Sequence, residues 1–249
     1  LGKNITVVLS LCLAVVAALF ASVGQAGAPG YVAVMGMFGY DPAAIKATAL
    51  ALTALVAAIG VIGFHRAGLL KTRDWLPFAI LGIPLSVVGG LINLPAGTYR
   101  MVMTMVLLAA GLQMAWAARM TTALDSRARE EPPLWPAILC GGFSGLLAGI
   151  TGIGGGLFVA ATMLLLSWVP TKRVAAVAQT SNLYTATAAF GAIWMSHPAL
   201  PPALPWWALA AAIGGLAGAW AGAKHLPAHA LRYLLAAILV TSGLRLALS

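Results

Sequence analysis

A glycine-dense stretch near the middle of the chain, Gly141-Gly142-Phe143-Ser144-Gly145-Leu146-Leu147-Ala148-Gly149-Ile150-Thr151-Gly152-Ile153-Gly154-Gly155-Gly156, carries no charge and lies between two apolar runs. Glycine weakens a helix interior by roughly 1 kcal/mol relative to alanine, so the run Gly154-Gly155-Gly156 is expected to unwind the backbone. A break inside an apolar segment frees N–H and C=O groups that lipid cannot satisfy. It is tolerated only where protein or a wet cavity lines it. Such a break therefore marks a candidate ligand site, provided that the chain is a membrane protein.

Composition supplies that condition. Hydrophobic residues make up 61% of the chain and charged residues only 8%, whereas about a quarter of the residues of a soluble domain are charged. The chain is therefore expected to be an all-α polytopic membrane protein. The net charge of +9 comes from basic residues scattered among loops between apolar segments, where they act as orientation signals. There is no basic stripe with interleaved aromatics, so nucleic acid is not a partner. Cys12 and Cys140 lie in apolar segments and read as packing residues. No spacing suits a metal, and no cofactor is expected. Lys3, an apolar run and Ala26-Gly27-Ala28 resemble a signal peptide. An internal repeat argues against cleavage there.

That repeat is seen by laying the sequence on itself with a shift of 128 positions: Leu11-Cys12 falls on Leu139-Cys140, Gly24 on Gly152, Gly27 on Gly155, and Pro42 on Pro170. Arg100 with Gly111-Leu112 has the same internal spacing as Arg232 with Gly243-Leu244. The expected organisation is a first repeat over 1–120, a cytoplasmic linker over 121–134 and a second repeat over 135–249. Apolar runs bounded by charge, Pro and Gly predict helices at 4–23, 31–38, 43–64, 75–92, 98–118, 136–150, 157–168, 171–195, 204–223 and 228–247. The helix at 157–168 covers about 18 Å, too little for a hydrocarbon core of about 30 Å. It reads as the returning arm of a re-entrant hairpin whose glycine tip lies near mid-membrane.

Arg66, Lys71, Arg73, Arg119, Arg127, Arg129, Lys172, Arg173, Lys224 and Arg232 mark cytoplasmic ends, whereas the segment 196–202 has no Lys or Arg and belongs outside. Helix 43–64 then runs inward while its counterpart 171–195 runs outward. The copies are inverted, each a broken or re-entrant hairpin plus three transmembrane helices, with both termini periplasmic. The charges fit ten full crossings equally well. Inverted repeats meeting at broken helices are the architecture of alternating-access transporters.

The polar residues that could bind a substrate cluster after the glycine break. Gln179, Thr180, Ser181 and Asn182 are adjacent in an apolar helix, so some must face a partner helix or a cavity. Thr185 and Thr187 read as packing residues, bonded back to the preceding turn. Thr151, Gly152, Gly154, Gly155 and Gly156 would offer free backbone N–H groups at a helix start, where the dipole favours an anion. Gly24, Gln25 and Gly27 would face them from the first repeat. The competing use of glycine is close helix packing, the reading for Gly214, Gly218 and Gly222. All five acidic residues, Asp41, Asp74, Asp125, Glu130 and Glu131, lie in loops or at helix ends, so no carboxylate relay for protons is evident. Gly142-Phe143-Ser144-Gly145 matches the Gly-x-Ser-Gly of rhomboid intramembrane proteases. However, a serine nucleophile needs a base, and His65, His197, His225 and His229 all read as interfacial.

The run from Gly141 to Gly156, followed by Ala178-Gln179-Thr180-Ser181-Asn182, resembles the sulfite exporter TauE/SafE family of membrane permeases in its small-residue run, Gly-Gly-Gly turn and Ala-x-x-Thr-Ser. Val159-Ala160 stands where the family often has Val-Pro. Gly27-Ala28-Pro29-Gly30 and Ala47-Thr48-Ala49-Leu50 lack its usual first-repeat triple glycine and Thr-Ser. The resemblance implies movement of sulfite, sulfonates such as sulfoacetate, thiosulfate or other small organic anions across the bacterial inner membrane. The expected partners are a small anionic substrate and membrane lipid, with a homodimer allowed. The expected activity is transport, export in the first place and uptake of thiosulfate or another small organic anion as the alternative. A non-transporting membrane scaffold is the competing class.

Overall fold

The computed structural model describes residues 3–125, 131–195, 200–224 and 228–248. Over these residues the chain forms ten helices and no strand. They are α1 (Lys3–Ser22), α2 (Ala28–Met37), α3 (Pro42–Arg66), α4 (Thr72–Leu91), α5 (Ala96–Asp125), α6 (Leu134–Thr151), α7 (Gly156–Leu165), α8 (Thr171–Met195), α9 (Leu204–Lys224) and α10 (Ala228–Leu248). Six of them, α1, α3, α4, α5, α6 and α9, are long and apolar enough to cross a membrane. Large apolar side chains such as Leu11, Trp135, Phe143, Ile213 and Trp220 are exposed on them, as a lipid-facing surface requires. His197, His225, Arg127, Arg129 and Glu130 lie outside the described residues.

Local chemistry sets the helix ends. Asp41 caps α3, its carboxylate accepting from the Ala43 N–H at 3.0 Å, and Pro42 opens the first turn. Gly152 ends α6 in the left-handed conformation, φ 83°. α2 starts at Ala28 rather than residue 31, because Pro29 has no N–H to lose in a first turn. α5 continues to Asp125, since neither Gly nor Pro stands between Ala118 and that residue.

The glycine-dense stretch divides into two parts with different work. Gly141, Gly145 and Gly149 form a stripe along α6 against α4, where a Cβ would overlap the backbone of Phe78, Gly82 and Ser86 respectively. α4 and α6 consequently form the most extensively packed helix pair among the described residues. Gly214 and Gly218 of α9 lie in the same way on Ala14 and Ala18 of α1. The packing pattern is preserved when the first five helices are exchanged with the last five: α4 on α6 matches α9 on α1, and α7 on α8 matches α2 on α3. α3 against α8 and α5 against α10 map onto themselves. Three apolar clusters fill the interior, one around Phe20, Tyr31, Met35, Met103 and Trp207, a second around Phe78, Val159, Met163 and Trp168, and a small third of Leu50, Ala186 and Ala189.

Candidate functional site

The polar segment of α8 is buried between neighbouring helices. Gln179, Thr180, Ser181, Asn182 and Thr185 are all at most 7% exposed. Thr180 Oγ1 donates back to the Ala176 carbonyl at 2.9 Å and Ser181 Oγ to Tyr184 Oη at 2.9 Å, so both hydroxyls are satisfied within α8. Asn182 and Thr185 reach outward. Asn182 Oδ1 accepts from the Gly156 N–H at 2.8 Å, and Thr185 Oγ1 accepts from the Gly155 N–H at 3.0 Å while donating to the Ser181 carbonyl at 2.6 Å. A helix start leaves its first N–H groups unsatisfied, and Gly155 has no side chain with which to cap α7. The cap comes from α8 instead. The backbone N–H groups of Gly155 and Gly156 are therefore not free for an anion. The Thr185 hydroxyl, which reads as packing in the sequence, is one of the two acceptors.

The turn follows α3 inward. Gly152 packs on the backbone of Lys46, and Gly154, φ 80°, lies between Thr53 and Asn182. Gly155 has φ −79°, so Gly152 and Gly154 are the positions that need left-handed backbone. Gly156 sits so close to Ala178 that a Cβ would overlap its carbonyl oxygen. Thr151 closes α6: its Oγ1 donates to the Leu147 carbonyl at 2.6 Å and accepts from the Ile153 N–H at 3.3 Å, and its own carbonyl accepts from Tyr99 Oη at 3.1 Å. Ser144 Oγ donates to the Gly141 carbonyl at 2.9 Å and lies beside Gly155.

Gln179 points toward α3, against Gly60, where a methyl would overlap its carboxamide. Its Oε1 has no hydrogen-bond partner, and neither do the Thr48 and Thr53 hydroxyls of α3. The crossing helices thus bury three polar atoms whose bonding capacity is unused.

The first-repeat turn lies further along. Gly24, φ 78°, packs on Ala175 of α8 and Phe64 of α3, and Gly27, φ 86°, lies under the ring of Tyr31. Gln25 lines a cavity beside Ala175. Ala175 and Asn182 are seven residues apart, about 10 Å along α8, so the two glycine turns are staggered along the α3–α8 crossing and do not close one pocket from opposite sides. Gly154 meets α3 and α8 near their midpoints, at Thr53 and Asn182, whereas Gly24 meets them near opposite ends, at Phe64 of α3 and Ala175 of α8.

Two charged contacts frame the site. Lys46 is 4% exposed, and its Nζ donates to the carbonyls of Gly89, Gly90 and Ile92 at 3.2, 2.8 and 2.8 Å. Its charge thereby meets the negative end of the α4 dipole. At the other end of α4, buried Asp74 accepts two bonds from the Arg173 guanidinium, Nε to Oδ2 at 2.8 Å and a second to Oδ1. α4 is thus tied to α3 at one end and to α8 at the other. A lysine within an apolar helix was the sequence signal for the first contact. The second joins residues 99 positions apart, and their types alone do not predict the pairing.

The model of the family described as sulfite exporter TauE/SafE matches residues 9–246. Over 238 residues, 96% of each chain, the sequence is 42% identical to a protein of Sinorhizobium fredii (strain NBRC 101917 / NGR234) called probable membrane transporter protein y4hK.

Proposed function

The chain belongs to the sulfite exporter TauE/SafE family and is a membrane transporter, not an enzyme; from that premise we propose that it moves a small sulfur-containing anion outward across the bacterial inner membrane by alternating access. Sulfite, sulfoacetate and other organosulfonates are the substrate class. The observation that carries this reading is the α3–α8 crossing. There Thr48, Thr53 and Gln179 bury polar atoms without partners, beside a glycine turn held by Asn182 and Thr185. A buried group left unsatisfied costs about 1–3 kcal/mol, a cost that a polar guest offsets.

The transport cycle rests on two inverted repeats, 1–120 and 135–249, joined by a cytoplasmic linker at 121–134. The exchange symmetry of the helix contacts supports the repeats. The Asp74–Arg173 pair supports the orientation, because it joins the two helix starts that the basic loops assign to the cytoplasmic face. Both termini then lie in the periplasm. An anion leaving a cell that is negative inside gains about 2.3 kcal/mol per charge for each 100 mV. That gain drives export without a coupled ion, and Asp74 is already committed to Arg173.

The test is flux of labelled sulfite, sulfoacetate and thiosulfate in proteoliposomes, with the potential clamped by potassium and valinomycin and with pH and sodium gradients imposed separately. Flux that follows the potential is expected, and Gln179→Ala is expected to insert normally and lose most of it. No flux of any anion would favour a scaffold, whereas flux that ignores the potential and follows a gradient would overturn the uncoupled mechanism.

A further inference from the structure

Two open cavities flank the seam between α5 and α10. The first brings together Gln25, Gln113 and Arg232 over walls that include Ala160 and Leu164. The second holds Ser242 and Arg245 over walls that include Val32 and Gly36. The shift of 128 that aligns the two halves carries Val32 and Gly36 onto Ala160 and Leu164. The spacing that matches Arg100 with Arg232 carries Gln113 and Met114 of the first cavity onto Arg245 and Leu246 of the second. The two cavities thus share part of their lining with the roles of the repeats exchanged, although Arg232 of the first corresponds to Arg100, which does not line the second. The first holds half-buried Arg232 and the second Arg245, which is exposed, in a chain of which only 8% is charged.

We propose that these cavities are paired anion seats, one at each end of the transport path, with Arg232, Gln25 and Gln113 forming the cytoplasmic seat and Arg245 with Ser242 the periplasmic one. The proposal rests on the anion-permease reading above and adds to it the residues that meet the substrate at either face. Arg232 and Arg245 are thirteen residues apart, about 20 Å along α10, which sets them toward opposite sides of a core about 30 Å thick. A guanidinium offers five N–H donors in a planar fork that matches a sulfonate, sulfite or phosphate oxygen pair, with capacity for more than one partner. Gln113 adds a carboxamide whose Oε1 is buried without a partner. Rotation of that amide presents either a donor to an oxyanion or an acceptor to a protonated one. The ligand chemistry is thus a small, doubly or singly charged oxyanion, which a free substrate or a lipid headgroup phosphate could supply.

Sulfite uptake by right-side-out and inverted membrane vesicles separates the two faces. Arg232→Gln is expected to raise the half-saturating sulfite concentration at least tenfold in inverted vesicles and less than threefold in right-side-out ones, with Arg245→Gln showing the reverse. Should either variant fail to insert, the matching Lys substitution keeps the charge, loses the fork, and is expected to raise the same value severalfold. Unchanged half-saturation for all variants, with the wild type transporting, overturns the seats and leaves the permease reading standing. Absence of wild-type flux of every anion overturns that reading and the seats with it. Native mass spectrometry provides the lipid arm: retained phosphatidylglycerol that is lost in Arg232→Gln, with sulfite saturation unchanged, assigns the cavity to a lipid and overturns the substrate role.

Discussion

Gly154→Ala tests whether the triple-glycine turn is held in place by α8. At φ 80° an L-residue occupies the left-handed region, at a cost of roughly 1–2 kcal/mol. The added Cβ would also stand 2.6 Å from Asn182 Oδ1 and 3.3 Å from Thr53 Cγ2. Asn182 must then move, and Oδ1 is the acceptor for the Gly156 N–H. Leaving that buried donor unpaired costs about 1–3 kcal/mol, so the total is about 2–5 kcal/mol. Gly155→Ala is the control. Its φ of −79° suits any residue, and its Cβ would meet Thr185 Cγ2 at 3.0 Å. That is an overpacking cost of about 1 kcal/mol, partly offset by about 0.4–1 kcal/mol from a stiffer unfolded chain. Thermal unfolding of the purified protein in detergent, followed by tryptophan fluorescence, should show a fall on the order of 10 °C for Gly154→Ala and little change for Gly155→Ala. Asn182→Ala removes the same acceptor, so the double variant with Gly154→Ala should cost less than the sum of the two singles by about 1 kcal/mol or more. A Gly155→Ala variant as unstable as Gly154→Ala, or strict additivity in the cycle, would refute the reasoning.

Arg173→Met leaves the fully buried Asp74 carboxylate without its partner and should destabilise by about 3–5 kcal/mol, whereas Asp74→Leu combined with Arg173→Met should recover most of that loss. The same unfolding assay decides, and equal instability of the single and the double variant would count against a pair acting as a unit. Gly145→Leu should prevent α6 from seating on Gly82 and yield protein that aggregates on size-exclusion chromatography. Gly191→Leu, where an added Cβ meets nothing within 4 Å, should elute as the wild type does.

The helices were legible because charge, Pro and Gly punctuate the apolar runs, as Asp41-Pro42 does before α3. The stripe Gly141, Gly145, Gly149 shows the same spacing of four as Gly214 and Gly218, and that spacing was the available sign that this half of the glycine stretch packs against a helix. Its partner face on α4 could not be read, since which helix lies opposite is a tertiary fact. Lys46 was legible in principle. A lone charge in an apolar helix must find a partner, although nothing in the sequence names the carbonyls of Gly89, Gly90 and Ile92 that receive it.

The place of the second glycine turn is set by where the sixth helix ends and the seventh begins. The shortness of the seventh segment, 157–168, is what points to a re-entrant hairpin, since it covers about 18 Å; the apolar pattern gives residues 136–150 to the sixth helix, about 22 Å at 1.5 Å per residue. The helix actually runs Leu134–Thr151, 18 residues, about 27 Å, because Trp135 and Pro136 fit a first turn and Thr151 bonds back to Leu147 before Gly152 stops it. A boundary uncertainty of one or two residues at each end is ordinary for helices. α7, Gly156–Leu165, has 10 residues, about 15 Å, and stays well short of a core about 30 Å thick. The turn between α6 and α7 packs on Lys46 and Thr53 of α3, while Gly24 packs on Phe64 of α3 and Ala175 of α8. The polar chemistry of this transporter is therefore spread along the α3–α8 crossing instead of being gathered between two facing tips.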